Sequence, residues 1–160
     1  MNLPAEVLQG VLARGALVLL RLQLGVVLLV AGVPKVREDY PPKLIGFLQN
    51  VALEKGHAFY QEFVSSVVLP HAGVFAALVS WGEVMIGLAL VLGFATRFTA
   101  AAALLMLVNY MFAKGAWPWT PSSNDAAYVA ISLALLIGAA GRTLGVDEFL
   151  AKRWPRSPLW

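Results

Sequence analysis

The chain has 160 residues, of which 59% are hydrophobic and 13% charged, with a formal net charge of +3 and a mean hydropathy of +0.74. A water-soluble domain carries roughly a quarter charged residues, so this composition excludes an ordinary soluble fold and points to lipid. There is no cysteine, which excludes disulfides, thiolate nucleophiles and cysteine-held metals.

Four apolar blocks follow one another, at about residues 11–33, 69–94, 98–113 and 126–140. A helical crossing needs about 20 mostly apolar residues, and the last two blocks borrow flanking residues to reach that length. The blocks lack the two-residue alternation of barrel strands, and unpaired backbone is not tolerated in hydrocarbon. The expected fold is therefore all-α, a single integral membrane domain over 1–160 built as a four-helix bundle. The first block is expected to be retained rather than cleaved, because no positive charge precedes it before Arg14 and it exceeds a signal-peptide core.

Between the first two blocks runs a long segment, 34–70. Pro41 and Pro42 suit a helix start, and Leu44, Phe47, Leu48 and Val51 share one helical face, as do Phe59, Phe63, Val64 and Val67 after Gly56. Two short amphipathic helices at about 41–67 are predicted, either floating at the interface or folded as a lid over the bundle mouth. Gly25 and Gly32 lie seven apart on one face of the first crossing, where they permit close helix approach. The second and third crossings are joined by a tight turn at 93–96 and must be antiparallel neighbours.

Two charges interrupt the apolar blocks. Counted at 1.5 Å per residue from His71, Glu83 lies roughly 18 Å below the long-loop face, and Arg21 lies roughly 20 Å below it counted from Pro34. Such residues face the bundle interior and find a partner there, so Arg21 and Glu83 are expected to pair. Two readings stand: a structural ion pair that fixes helix register, or a catalytic pair in which Glu83 moves a proton and Arg21 tunes its acidity.

Nearer the long-loop face, Asn109 and Tyr110 precede Lys114, and Ser122, Ser123, Asn124 and Asp125 open the last crossing, where they suit helix capping. Lys35 emerges at the same level. Trp117, Trp119, Tyr110 and Tyr128 surround this mouth. They form either the aromatic belt of a membrane interface or a platform for a flat ligand whose oxygens meet Lys35, Asn109, Asn124 or Asp125. A quinone head group with its tail in lipid fits that second description. His57 and His71 are too few and too scattered for bis-histidine haem or for zinc, so no metal or haem is expected on this chain. Phosphate-binding glycine loops, nucleophile elbows and nucleic-acid motifs are absent. Lysines and arginines divide six to five between the two faces, which leans towards cytoplasmic termini with the long loop outside.

Arg21 followed by LGVVLLVAGVPKV, then GEVMIGLALVLGFATR, then Asn124 and the closing GAAGRTLGVDEFL resemble, in order and spacing, the DoxX and DoxD-like membrane proteins. The resemblance covers about residues 17–150 and rests on Arg21, Gly32, Lys35, Glu83, Gly87, Arg97, Asn124, Gly141, Arg142 and Asp147. It implies a four-helix protein, expected in the bacterial inner membrane, related to a subunit of thiosulfate:quinone oxidoreductase. Two functions follow as expectations: a quinone-linked redox subunit, or a non-catalytic accessory subunit packed against a larger respiratory or photosynthetic complex. The partners expected are the lipid bilayer and other complex subunits or further copies of the chain. A small-solute transporter ranks last, since Pro70 and Pro118 lie at block ends rather than within them.

Overall fold

The computed structural model describes residues 5–121, 123–138, 140–155 and 157. Among them every regular element is helical. The helices are α1 (Ala5–Arg37), α2 (Tyr40–Phe47), α3 (Leu53–Lys55), α4 (Ala58–Phe63), α5 (Ala72–Leu92), α6 (Thr96–Ala113), α7 (Asn124–Gly138) and α8 (Val146–Arg153). Three helical stretches are long and apolar enough to cross a membrane: residues 9–37, 58–92 and 96–113, the second running through α4, α5 and the wide and tight turns between them. α7 is a shorter apolar helix.

α1 and α5 lie antiparallel and form the most extensive helix contact. Two glycine pairs of levels set their register. A Cβ on Gly25 would stand 2.9 Å from the Gly87 carbonyl, and one on Gly32 would stand 2.7 Å from the Glu83 Cβ. Side chains at these positions would force the helices apart, so the shared glycine face read from the sequence is a true helix–helix seam. Leu24, Leu28, Leu90, Ala100, Ala103, Leu107 and Leu135 fill the core between the long helices. Opposite, Val74, Leu78, Trp81, Met85, Leu88 and Leu92 form an exposed apolar stripe along α5, as expected of a face in contact with lipid.

α1 does not stop at Pro34. It continues to Arg37 with Pro34 inside the last turn, where the ring removes the hydrogen bond to the Val30 carbonyl without ending the helix. At 33 residues it is about 50 Å long, well beyond the roughly 30 Å of hydrocarbon. The register places its C-terminal end beside the second turn of α5, so the first turns of α5 project past it.

That projecting part is covered by the long segment. α2 and a π-helical turn at Leu48–Ala52 descend, α3 ends at Gly56, and α4 returns through a second π-helical turn at Val64–Val68 and a 3₁₀ turn at Leu69–His71 into α5. The tip is fastened to the end of α6: the His57 N–H donates to the Phe112 carbonyl at 3.3 Å. Its ring Nε2 lies 3.1 Å from the Ala116 carbonyl. Leu44, Leu48, Ala52, Val64, Val68, Ala76 and Ala113 make a second apolar core beneath it. The segment is therefore folded over the mouth of the helices rather than lying apart from them.

At the other end Gly93, in the left-handed region with φ 66°, closes α5. α6 begins at Thr96 with its first amides facing α8.

Candidate functional site

Glu83 is 1% exposed, and its partner is Lys35, whose Nζ lies 2.6 Å from both carboxylate oxygens. The Tyr110 hydroxyl donates to Oε1 at 2.7 Å. The carboxylate thus receives three charge-assisted hydrogen bonds, two of them from an ammonium, which is what a buried acid needs. The Lys35 ammonium sits 5.4 Å from the ring centre of Tyr40 and 5.8 Å from that of Tyr110, within cation–π range. Burial first, and then the Glu83 charge, raises the Tyr40 phenol above its ordinary pKa. It remains protonated at neutral pH.

The expected pairing of Arg21 with Glu83 is corrected. Arg21 lies at the opposite end of the molecule, where its guanidinium donates to the carbonyls of Ala140 at 3.1 Å, Thr143 at 3.3 Å and Leu144 at 2.8 Å. Its level is that of Gly93, whose Cβ, if present, would meet the guanidinium. Depths counted from Pro34 and His71 treated both residues as membrane borders, whereas α1 runs on past Pro34 and α5 continues an earlier helical path. The two residues therefore lie about 15 Å apart along the helix axes. Asp147 completes the Arg21 end: its carboxylate accepts the Ala95 N–H at 2.6 Å and the Thr96 N–H at 2.8 Å, and its own N–H donates to the Gly93 carbonyl at 2.9 Å.

Two cavities flank the Lys35–Glu83–Tyr110 cluster. One, of about 260 Å³, lies between the lid and α5 and α6, with Phe47, Phe63, Phe75, Met106, Asn109 and Tyr110 among its walls. It is almost wholly apolar except for the Tyr60, Asn109 and Tyr110 polar atoms. The two π-helical turns border it at Leu48 and Val68, and such turns widen a helix locally and recur at functional sites. The other cavity, about 180 Å³, opens beside Lys35, Glu38, Tyr40, Ser80 and Trp81. Tyr110 therefore faces the first space and Lys35 the second, with Glu83 between them.

The remaining expected site residues separate into other groups. Asn109 borders the apolar cavity from an exposed position: its Nδ2 donates to the Leu105 carbonyl at 2.7 Å and its Oδ1 accepts the Tyr60 hydroxyl at 3.2 Å. Asp125 pairs with Lys114 at 2.8 Å, lining with Asn124 a separate polar recess. Ser123 reaches Asp125 at 3.5 Å, and Ser122 falls outside the described residues. Trp117 and Trp119 stack at 5.6 Å and, with His57 4.4 Å from Trp117, form an exposed aromatic patch that does not line the cavity. Tyr40 and Tyr60 are partners that the sequence reading did not single out. Both lie in the long segment, where the apolar periodicity drew attention to their neighbours instead.

Among the described residues no group of three or more histidines or acids is placed to hold a metal ion. No solved structure matches the chain. Residues 16–115 match the sequence model of the DoxX family, a span that holds Arg21, Lys35, Glu83, Asn109 and Tyr110.

Proposed function

Because the chain belongs to the DoxX family, we propose that it is a four-crossing membrane subunit that binds the head group of a quinone in the apolar cavity and supplies its protons through Glu83. α7 makes the fourth crossing in this reading, in the bacterial inner membrane with both termini in the cytoplasm. The observation that carries the reading is the position of Glu83. A buried carboxylate, hydrogen-bonded to Tyr110, stands between an apolar cavity of ring-group size and an open recess lined by Lys35.

The residues fit such a group. Cavities for small ligands combine apolar walls with a few polar atoms, and this one offers Phe47, Phe63 and Phe75 with the Asn109 amide and the Tyr60 and Tyr110 hydroxyls. A bound quinone supplies the electron chemistry, taking up two electrons and two protons per ring, with the electrons delivered by a redox-active donor on a partner protein. The chain's own part is protonic and positional. Tyr110, whose hydroxyl donates to Glu83, would pass its proton to a ring oxygen and take one back from a protonated Glu83 carboxyl, which would be reloaded from the recess beside Lys35; two passages along this route would supply the two protons. Asn109 and Tyr60 would hold the second ring oxygen. Arg21 has no place in this sequence of events, and its role is to hold the far end together.

A second reading rests on the Trp117–Trp119–His57 patch, which is exposed and stands off the cavity. In it the chain is an accessory subunit of a larger membrane complex, or a homo-oligomer, and the patch is its contact. Stoichiometric copurification of a large complex, lost in Trp117→Ala with Trp119→Ala, supports that role.

The deciding experiment is a titration of the purified protein with a short-tailed quinone, alongside Asn109→Leu, Tyr110→Phe and Glu83→Gln, with the thermal unfolding of each recorded. Wild type is expected to bind, and the folded Asn109→Leu and Tyr110→Phe variants to bind about tenfold more weakly, corresponding to about 1.4 kcal/mol for a lost hydrogen bond. Unchanged binding in all three folded variants sinks the cavity as the site.

A further inference from the structure

The charges of the molecule are divided unequally between its ends. At the end formed by the α5–α6 turn, the N-terminal half of α1 and α8, the described residues hold six cations against three acids: Arg14, Arg21, Arg97, Arg142, Lys152 and Arg153 against Glu6, Asp147 and Glu148. At the lid end five cations face six acids. The contrast sharpens when partners are considered. Asp147 is fully buried and committed to the α6 amides, and Glu148 is paired with Lys152. No ion pair forms on Arg97 or Arg153 among the described residues, whereas at the lid end Lys35, Lys43 and Lys114 each have an acid.

The same end carries exposed apolar side chains on α8 and the turn before it. Leu144 is 77% exposed and Phe149 71%, with Val146 and Trp154 also exposed. Leu144 is held with φ 52°, a left-handed conformation that costs an ordinary residue free energy. Its carbonyl is fixed by Arg21 at 2.8 Å, and the result is an apolar side chain turned outward. Within α8, Asp147 faces the bundle while Val146 and Phe149 face away. A short helix with apolar residues on its outer face and Lys152 and Arg153 in its last turn has the composition of an element that lies in the headgroup layer.

We propose that α8 and the turn before it are a docking foot for anionic phospholipid head groups, with Leu144, Val146 and Phe149 entering the acyl boundary and Lys152, Arg153 and Arg97 meeting the phosphates. Charge complementarity selects this occupant. A juxtamembrane cation is drawn to an anionic lipid surface, whereas a zwitterionic lipid offers the apolar contact alone. The α8 position, tied by Asp147 to the first turn of a spanning helix, keeps the foot at the level where head groups lie.

The test uses the full chain in mild detergent, titrated with phosphatidylglycerol or with phosphatidylcholine, reading thermal stability and the number of lipids retained in native mass spectrometry. Wild type is expected to retain and be stabilised by phosphatidylglycerol in preference to phosphatidylcholine, with the preference suppressed by high salt. Lys152→Gln with Arg153→Gln is expected to weaken the phosphatidylglycerol response about tenfold or more while leaving stability in phosphatidylcholine unchanged. Phe149→Ser is expected to weaken the response to both lipids. Equal responses to the two lipids in wild type, or a full phosphatidylglycerol preference in the double variant, overturns the proposal. So does a double variant that keeps its lipid response but loses a copurifying protein, since the foot would then be a protein contact.

Discussion

Lys35 and Glu83 do not stand to lose equally from separation. The Lys35 side chain is 24% exposed and opens onto the recess, whereas the Glu83 side chain is 1% exposed. An ammonium on a flexible stem can turn towards water when its partner is removed, but a buried carboxylate at the glycine seam cannot. Lys35→Met is therefore expected to destabilise by roughly 3 kcal/mol, the cost of stranding a buried charge. Glu83→Gln is expected to cost about 1 kcal/mol, since the amide still accepts from Tyr110. Thermal or denaturant unfolding in micelles, with both variants and the double, measures this ordering. Equal costs, or a larger one for Glu83→Gln, contradict the geometry of the pair.

At the level of elements, α6 borrows its N-terminal cap from a residue 51 positions further along the chain. Ala95 and Thr96 present amides that their own segment does not satisfy, and Asp147 supplies both acceptors. Asp147→Ala is expected to cost about 2 kcal/mol. Asp147→Asn, which keeps one carbonyl acceptor, should cost about half as much. Hydrogen exchange provides the specific readout: amides at 95–98 should exchange faster in Asp147→Ala while those in the middle of α5 do not. Uniformly faster exchange through both helices would mean that Asp147 supports the whole bundle rather than capping one helix.

Much of this architecture is legible in the chain because lipid leaves few choices. Long apolar blocks must be helices, Gly93 at a block end must turn, and Gly25 and Gly32 on one face must meet a neighbour. Axial register is another matter. It is fixed by where Gly25 meets Gly87 and Gly32 meets Glu83, a match between distant segments that no single block announces. Pro34 and His71 both read as borders at one level, whereas α1 runs on to Arg37 and the first turns of α5 project past it, and those two misplacements together moved Arg21 from its carbonyl cluster to Glu83. Lys35, Asn109 and Tyr110 were visible as polar residues at one level. Their separation into a carboxylate cluster and a cavity wall depends on helix rotation, and the tyrosines that complete each group come from the lid.

At the scale of the whole molecule, the uneven charge distribution predicts an orientation. Cytoplasmic loops and tails retain lysine and arginine, and acids count for little in that preference. Six cations at the α8 end against five at the lid end give a small excess by number. The α8 cations also lie in a short segment next to the crossings, where the preference acts most strongly. Both termini are expected on the cytoplasmic side, with the lid and the entrance beside Lys35 on the opposite side. The absence of cysteine makes the measurement clean, because a single introduced thiol is the only reactive group. Ser157→Cys should be labelled by a membrane-impermeant maleimide only after the cells are opened. Ser66→Cys, on the exposed face of the lid, should be labelled in intact cells. The reverse pattern would place the Lys35 recess in the cytoplasm, and the proposed proton route to Glu83 would then draw on the opposite side of the membrane.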